Sequence, residues 1–283
     1  MTTVRGHVEA ARAHLVSAGL ERQEAEIDAE VLARNVLGWD RTTYLSDCRT
    51  EAPDGFPDRY HRLLKRRAQR EPVSLIVGRR EFWGLDFAVT QDVLTPRPET
   101  EILVEATLAR VDEYDHTPHV VDVGTGSGCV AIVIAQNTAA QVTATDVSQA
   151  AITVARRNAE RHGVSDRIRY VCTPLLDRVQ DVPDMIVANL PYIPRSEISK
   201  LPPEVRVFEP HTALDGGPDG LEIVAQLVDV AVQRLAAGGY LILELGLGQT
   251  VSLSRYLETR PELKIVNTQD DLQGIPRVMT MRR

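Results

Sequence analysis

The sequence predicts a doubly wound α/β sheet preceded by a small N-terminal helical domain. Three observations predict it. Residues 1–72 carry helical periodicity and no strand pattern, strand and helix patterns alternate from His119 to Met281, and a glycine-rich turn closes the first of those strands. At 283 residues, 43% hydrophobic and 25% charged, the chain has material for one small and one medium core.

Taken in order, Val8, Ala11 and Leu15 recur on one helical face and Gly19 stops it; Ile27, Val31 and Leu32 repeat the pattern as far as Gly38. A turn over 51–55 leads to a helix that opens with Pro57 and carries Arg59, Arg62, Lys65, Arg66, Arg67 and Arg70 with His61. Tyr60, Leu63 and Leu64 form its apolar stripe, so the charges are expected to be a solvated face, with a partner-docking surface as the alternative. Glu71 and Pro72 break this helix. Leu75 to Val77 and Phe87 to Val89, punctuated by Gly78 and Gly84, read as two short strands of a linker hairpin over 73–94. Residues 95–283 form the main domain, whose first helix is expected to start at Pro98 and run through Ile102, Leu103, Val104 and Leu108.

Strands are then expected at 120–123, 141–145, 168–171, 185–188, 240–243 and 278–281, and helices at 130–135, 150–162 and 221–235. Such alternation means a mostly parallel sheet with helices on both faces, and ligands in that class bind beyond the carboxyl ends of the strands.

Composition excludes several function classes. The longest apolar run, Val130 to Ala135, is far short of the ~20 residues of a spanning helix, and the N-terminus has no signal-peptide pattern, so a cytoplasmic protein without membrane contact is expected. Cys48, Cys129 and Cys172 are scattered singly and the seven histidines are dispersed, so neither disulfides nor a metal site is expected. A net charge of −8 argues against direct nucleic-acid binding and favours a protein or small-molecule partner.

Asp122 to Gly128 (DVGTGSG) lies where the first strand gives way to the first helix of the alternation. Its glycines, 124, 126 and 128, with Thr125 and Ser127 between them, permit a tight turn and let a ligand approach main-chain N–H groups. The dinucleotide fingerprint would need a glycine at position 129, where Cys129 stands. At the end of the second strand, Asp146 is placed to accept hydrogen bonds from two ribose hydroxyls, with capping of the next helix as the bland alternative. At the end of the fourth, Asn189, Leu190, Pro191 and Tyr192 (NLPY) follow an apolar run. Asn189 Oδ1 and the Leu190 carbonyl are two acceptors able to grip the N–H groups of a planar amide or aromatic amine; Pro191 restricts Leu190, and Tyr192 is expected to stack on the acceptor.

The G-x-G-x-G spacing resembles motif I of S-adenosylmethionine-dependent methyltransferases, whose sheet is Rossmann-like. Glu81 to Phe87 (EFWGLDF), Pro96 to Glu101 (PRPETE), the run Glu209 to Leu221, Glu244 to Gly246 with Gln249, and Gly274 with Arg277 further resemble the glutamine N5-methyltransferases of peptide chain release factors. The resemblance covers nearly the whole chain. It implies methylation of the glutamine in a Gly-Gly-Gln loop, S-adenosylmethionine as cofactor, a helical domain that docks the release factor, and a monomer. It carries Gly124 to Gly128, Asp146 and Asn189 over as cofactor-binding positions and Asn189 to Tyr192 as catalytic ones. Two departures stand out: Leu190 replaces the first proline of the family's N-P-P-Y, and Thr173-Pro174 occupies the place of a frequent acidic residue near the adenine, leaving Pro174 as the cofactor neighbour there. NLPY also resembles the adenine dimethylases of rRNA, so an adenine-N6 methyltransferase acting on rRNA or DNA is the rival enzyme, and an inactive cofactor-binding adaptor the non-enzymatic rival.

Overall fold

The N-terminal helical signals become α1 (Val4–Ser17), α2 (Arg22–Leu37), α3 (Arg41–Asp47) and α4 (Phe56–Ala68) in the computed structural model, which describes residues 2–283. Thr3 and Asp40 cap α1 and α3 through their side chains, and Gly38, at φ 68°, ends α2. Leu15, Leu32, Phe56 and Tyr60 meet in one core, where the Tyr60 hydroxyl donates to the Ala29 carbonyl at 2.8 Å.

Two expectations for this region are corrected. Val73–Val77 is a helix, α5, instead of a strand: Pro72 opens it, Gly78 closes it at φ 77°, and Ile76 joins the helical core. Its β-branched residues imitate a strand, but five residues between a proline and a left-handed glycine make a helical turn. The basic face of α4 is not wholly solvated either. Arg67 is buried and donates to Asp28 at 2.6 Å, Glu24 at 2.5 Å and Glu204 at 2.9 Å, while Arg66 pairs with Glu71. Glu204 belongs to Pro202–Phe208, a later segment that clusters with this unit.

The second unit comprises Arg80–Leu201 and Glu209–Arg283. β1 (Arg79–Phe82) and β2 (Leu85–Ala88) form a hairpin shorter than the expected 73–94 linker. Trp83 and Gly84, at φ 55° and 72°, turn it; Trp83 N donates to Glu101 Oε1 at 2.8 Å. α6 (Thr100–Val111) begins two residues after Pro98, which lies in the preceding turn. The sheet strands are β3 (His119–Val123), β4 (Gln141–Asp146), β5 (Ile168–Cys172), β6 (Met185–Asn189), β7 (Tyr240–Glu244), β8 (Lys264–Asp270) and β9 (Pro276–Arg282), in spatial order β5-β4-β3-β6-β7-β9-β8. The first five are parallel; β9 and β8 extend the edge antiparallel. α7 (Cys129–Asn137), α8 (Gln149–Arg161), α9 (Glu222–Arg234) and α10 (Gln249–Leu257) complete the layers.

Alternate residues of each strand feed opposite cores. Val120, Met185, Val187 and Ile242 pack with α6 and α7, while Val121, Ile186, Leu241 and Leu243 pack with α9 and α10. The chain winds outward from β3 to β5 and then returns to β6 on the other side of β3. This reversal opens the crevice in which doubly wound folds bind ligands.

Candidate active site

Three strand ends build the cleft. After β3, Gly124 turns the chain at φ 74°, and a Cβ there would come to 3.2 Å from Leu190 Cδ2. Gly128 opens α7 at φ 83°, where a Cβ would press on Ala155 Cβ at 3.0 Å. Gly124 N and Thr125 N both donate to the Thr145 carbonyl at 2.9 Å, Gly128 N donates to the Thr125 carbonyl, and Gly126 N donates to Asp146 Oδ2 at 2.9 Å. Only Ser127 N in the loop lacks a hydrogen-bond acceptor among the described residues. The loop therefore differs from the expected N–H cradle: its amides are mostly used internally, and it offers a ligand a surface nearly free of side chains.

Asp146 closes β4. Its Oδ1 accepts from Ser148 N at 2.9 Å, and the cap of α8 is Ser148 itself, whose hydroxyl accepts from Ala151 N. Asp146 thus joins two cleft loops and does not cap the helix, and each carboxylate oxygen keeps a further acceptor site. Burial raises its pKa, against the pull of the Ser148 and Gly126 backbone donors.

Asn189 is the last residue of β6 and lies in register with Glu244, the last of β7. Its Nδ2 donates to Thr100 Oγ1 at 3.0 Å. Asn189 Oδ1 and the Leu190 carbonyl accept no hydrogen bond among the described residues. Leu190 is buried against the apolar core beneath α9, with its side chain over Gly124.

The cleft gathers the loop from Gly124 to Ser127, Asp146, and Asn189 to Pro191; its empty volume is about 1050 Å³, open mouth included. Gly128, Pro174 and Tyr192 lie off its lining. Pro174 is exposed, and its neighbours Thr173 and Leu175 reach the cleft instead. Tyr192 faces an adjoining groove with Gly246 and Gln249, where burial pushes its phenol up to about 12. Its carbonyl accepts from Gln249 Nε2 at 2.8 Å, which ties NLPY to α10.

Several supporting residues escaped sequence reasoning. Asp122, inside the quoted glycine motif, accepts from the Thr125 hydroxyl at 2.6 Å, and burial raises its pKa to about 7. Asn158, fully buried on α8, accepts from Ala88 N and donates to the carbonyls of Ala88 and Ser127, stapling the hairpin to the glycine loop. Arg97 of PRPETE donates to both oxygens of buried Glu209, at 2.8 and 2.6 Å. Only the run of motifs could have flagged Asp122, Arg97 and Glu209; Asn158 has no sequence signal.

A family model described as "PrmC N-terminal domain" matches residues 8–78, and one described as "Ribosomal protein L11 methyltransferase (PrmA)" matches residues 99–205. The release factor glutamine methyltransferase of Bradyrhizobium diazoefficiens is 39% identical over 283 residues, which cover 98% of this chain and 95% of that protein. That of Geobacter sulfurreducens is 39% identical over 280 residues with the same coverage. The chain belongs to the release factor glutamine methyltransferase family.

Solved structures agree at the level of fold. The hMettl16 catalytic domain bound to the MAT2A 3'UTR hairpin 1 superimposes with a TM-score of 0.57 at 18% identity, over 88% of this chain and 90% of that one. The ribosomal protein L11 methylase of Lactobacillus delbrueckii subsp. bulgaricus gives 0.51 at 23% identity, over 68% and 81%. The N-terminal helices and the sheet are thus those of a methyltransferase family with a helical N-terminal domain. No helix among the described residues is long and apolar enough to cross a membrane.

Proposed function

We propose that this chain methylates the side-chain amide nitrogen of the glutamine in the Gly-Gly-Gln loop of peptide chain release factors, using S-adenosylmethionine. The observation that carries the reading is the pair of open acceptors, Asn189 Oδ1 and the Leu190 carbonyl, beside a glycine loop. The cleft suits the cofactor. Its loop has few free N–H donors, as befits a ligand without phosphate, and Asp146 retains acceptor capacity for ribose hydroxyls. Gly124 to Ser127, Asp146, Thr173 and Leu175 would hold it, with Asn189 at the reacting end.

S-adenosylmethionine, when bound, supplies an electrophilic methyl group. The protein's part is to aim a poor nucleophile. An amide nitrogen spreads its lone pair into the carbonyl, and two acceptors on its N–H groups fix its direction and oppose that delocalisation. Asn189 presents one acceptor because its donor end is already taken by Thr100. Leu190 supplies the other from the main chain, so the loss of the family's first proline leaves the acceptor itself in place. Tyr192, on the adjoining groove, holds the motif to α10 through its carbonyl. By the family resemblance, the active unit is a monomer working in the cytoplasm on its protein partner.

Incubation with methyl-labelled S-adenosylmethionine and either release factor or rRNA tests the assignment. Label on the Gly-Gly-Gln glutamine, located by peptide mass, is expected. Label on RNA selects the adenine methyltransferase instead, and cofactor binding without turnover selects the adaptor. The helical unit is the proposed dock for the release factor, through Arg59, Arg62 and Lys65, which remain exposed on α4. Reversing these three to Glu is expected to raise KM for intact release factor while sparing a short Gly-Gly-Gln peptide; an unchanged KM removes that role.

A further inference from the structure

An Asn side chain can present its oxygen or its NH2 to a substrate, and only one orientation serves an amide acceptor. Turned the wrong way, Asn189 would set its own donors against those of the glutamine. The question is what fixes the amide.

Its partner, Thr100 Oγ1, is 3% exposed, lies 3.0 Å from Asn189 Nδ2 and opens α6. A hydroxyl can donate as well as accept, so Thr100 alone does not choose between the two orientations. The choice comes from the next strand. Glu244, the register partner of Asn189, is also 3% exposed; burial raises its pKa, and the neighbouring Thr100 hydroxyl opposes that rise. Its Oε2 has no hydrogen-bond partner among the described residues. Leaving a buried carboxyl oxygen unsatisfied costs stability, and the structure gains no ion pair in return.

We propose that Glu244 and Thr100 are positioning residues for methyl transfer: Glu244 engages the Thr100 proton, Thr100 Oγ1 then only accepts, and Asn189 must turn Nδ2 toward it and Oδ1 toward the glutamine. The inference rests on the methyl-transfer reading above. Neither residue touches the reacting atoms; both act through Asn189. PRPETE and Glu244-Leu-Gly246 thereby acquire a shared task, though they are far apart in the chain.

The test compares Thr100→Val, Thr100→Ser and Glu244→Gln in the full chain. Thr100→Val keeps the shape and removes the acceptor, so kcat should fall roughly tenfold to hundredfold, as for a misaligned reacting group. S-adenosylhomocysteine binding should stay unchanged. Thr100→Ser should restore most of the rate, and Glu244→Gln, whose NH2 competes for Thr100 Oγ1, should lower kcat in the same sense as Thr100→Val. A readout that needs no substrate accompanies them: the side-chain NH2 resonances of Asn189, identified by their loss in Asn189→Ala, should move in Thr100→Val and return in Thr100→Ser. Unmoved resonances, or a serine variant as slow as the valine one, overturn the positioning role. A wild type that methylates no glutamine overturns the reading of the site instead, and the resonances still decide whether Thr100 orients Asn189.

Discussion

In the helical unit Arg67 is 1% exposed and meets three carboxylates, Asp28, Glu24 and Glu204; at the strand ends Asp122 and Glu244 are as deeply buried and make no ion pair among the described residues. The first arrangement is closed. Each guanidinium nitrogen donates to a carboxylate, and two α2 side chains and one from a distant segment are tied to α4. The second is open. Asp122 lines the cleft, Glu244 keeps an unsatisfied oxygen, and burial raises both carboxyls to about 7. Compensated buried charge here holds structure together, whereas uncompensated buried charge lies at the site and costs stability.

The comparison breaks first at Arg67. Arg67→Met strands a cluster of partly buried carboxylates, and unfolding in denaturant should show a loss of about 3–5 kcal/mol. A loss below about 1 kcal/mol would mean that the cluster is no more than a surface pair. Glu244 should behave in the opposite way. Its folded-state pKa lies above the ordinary value, so the folded state holds a proton that the unfolded chain releases earlier, and stability declines as pH rises from about 4.5 to about 7. Glu244→Gln removes that decline, so the variant should gain on the wild type by on the order of 2 kcal/mol between pH 5 and pH 8. An equal difference in stability between the two proteins at both pH values would show that the folded state does not raise the pKa of Glu244.

What the sequence made legible follows the same division. Gly124 to Ser127, Asp146 and Asn189 were readable because each stands at the end of a strand whose pattern is plain, and the topology sends those ends to one crevice. Thr100 and Glu244 appeared only as members of motifs, because their meeting with Asn189 depends on helix placement and strand register, neither of which is a local property. Arg67 was misread for a related reason. Helical periodicity places it among other charges on α4, but the carboxylate of Glu204 that closes its cluster arrives from more than a hundred residues away. Val73 to Val77 misled through composition: β-branched residues look strand-like until the proline and glycine on either side are given their weight. α10 and β8 went unseen because α10 is a short helix with mixed polarity and β8 is an almost fully exposed edge strand with little apolar pattern.

The central claim is that Asn189 and the Leu190 carbonyl hold the acceptor amide and that the cofactor is held elsewhere in the cleft. Asn189→Ala tests it most directly, with transfer to release factor measured in a single turnover and S-adenosylhomocysteine affinity measured on the same preparation. The account predicts that transfer falls by roughly a thousandfold, as when a preorganised polar group is removed from a reacting centre, while cofactor affinity stays within about twofold. A variant that loses affinity and transfer by the same factor would contradict it, and would make Asn189 a cofactor ligand.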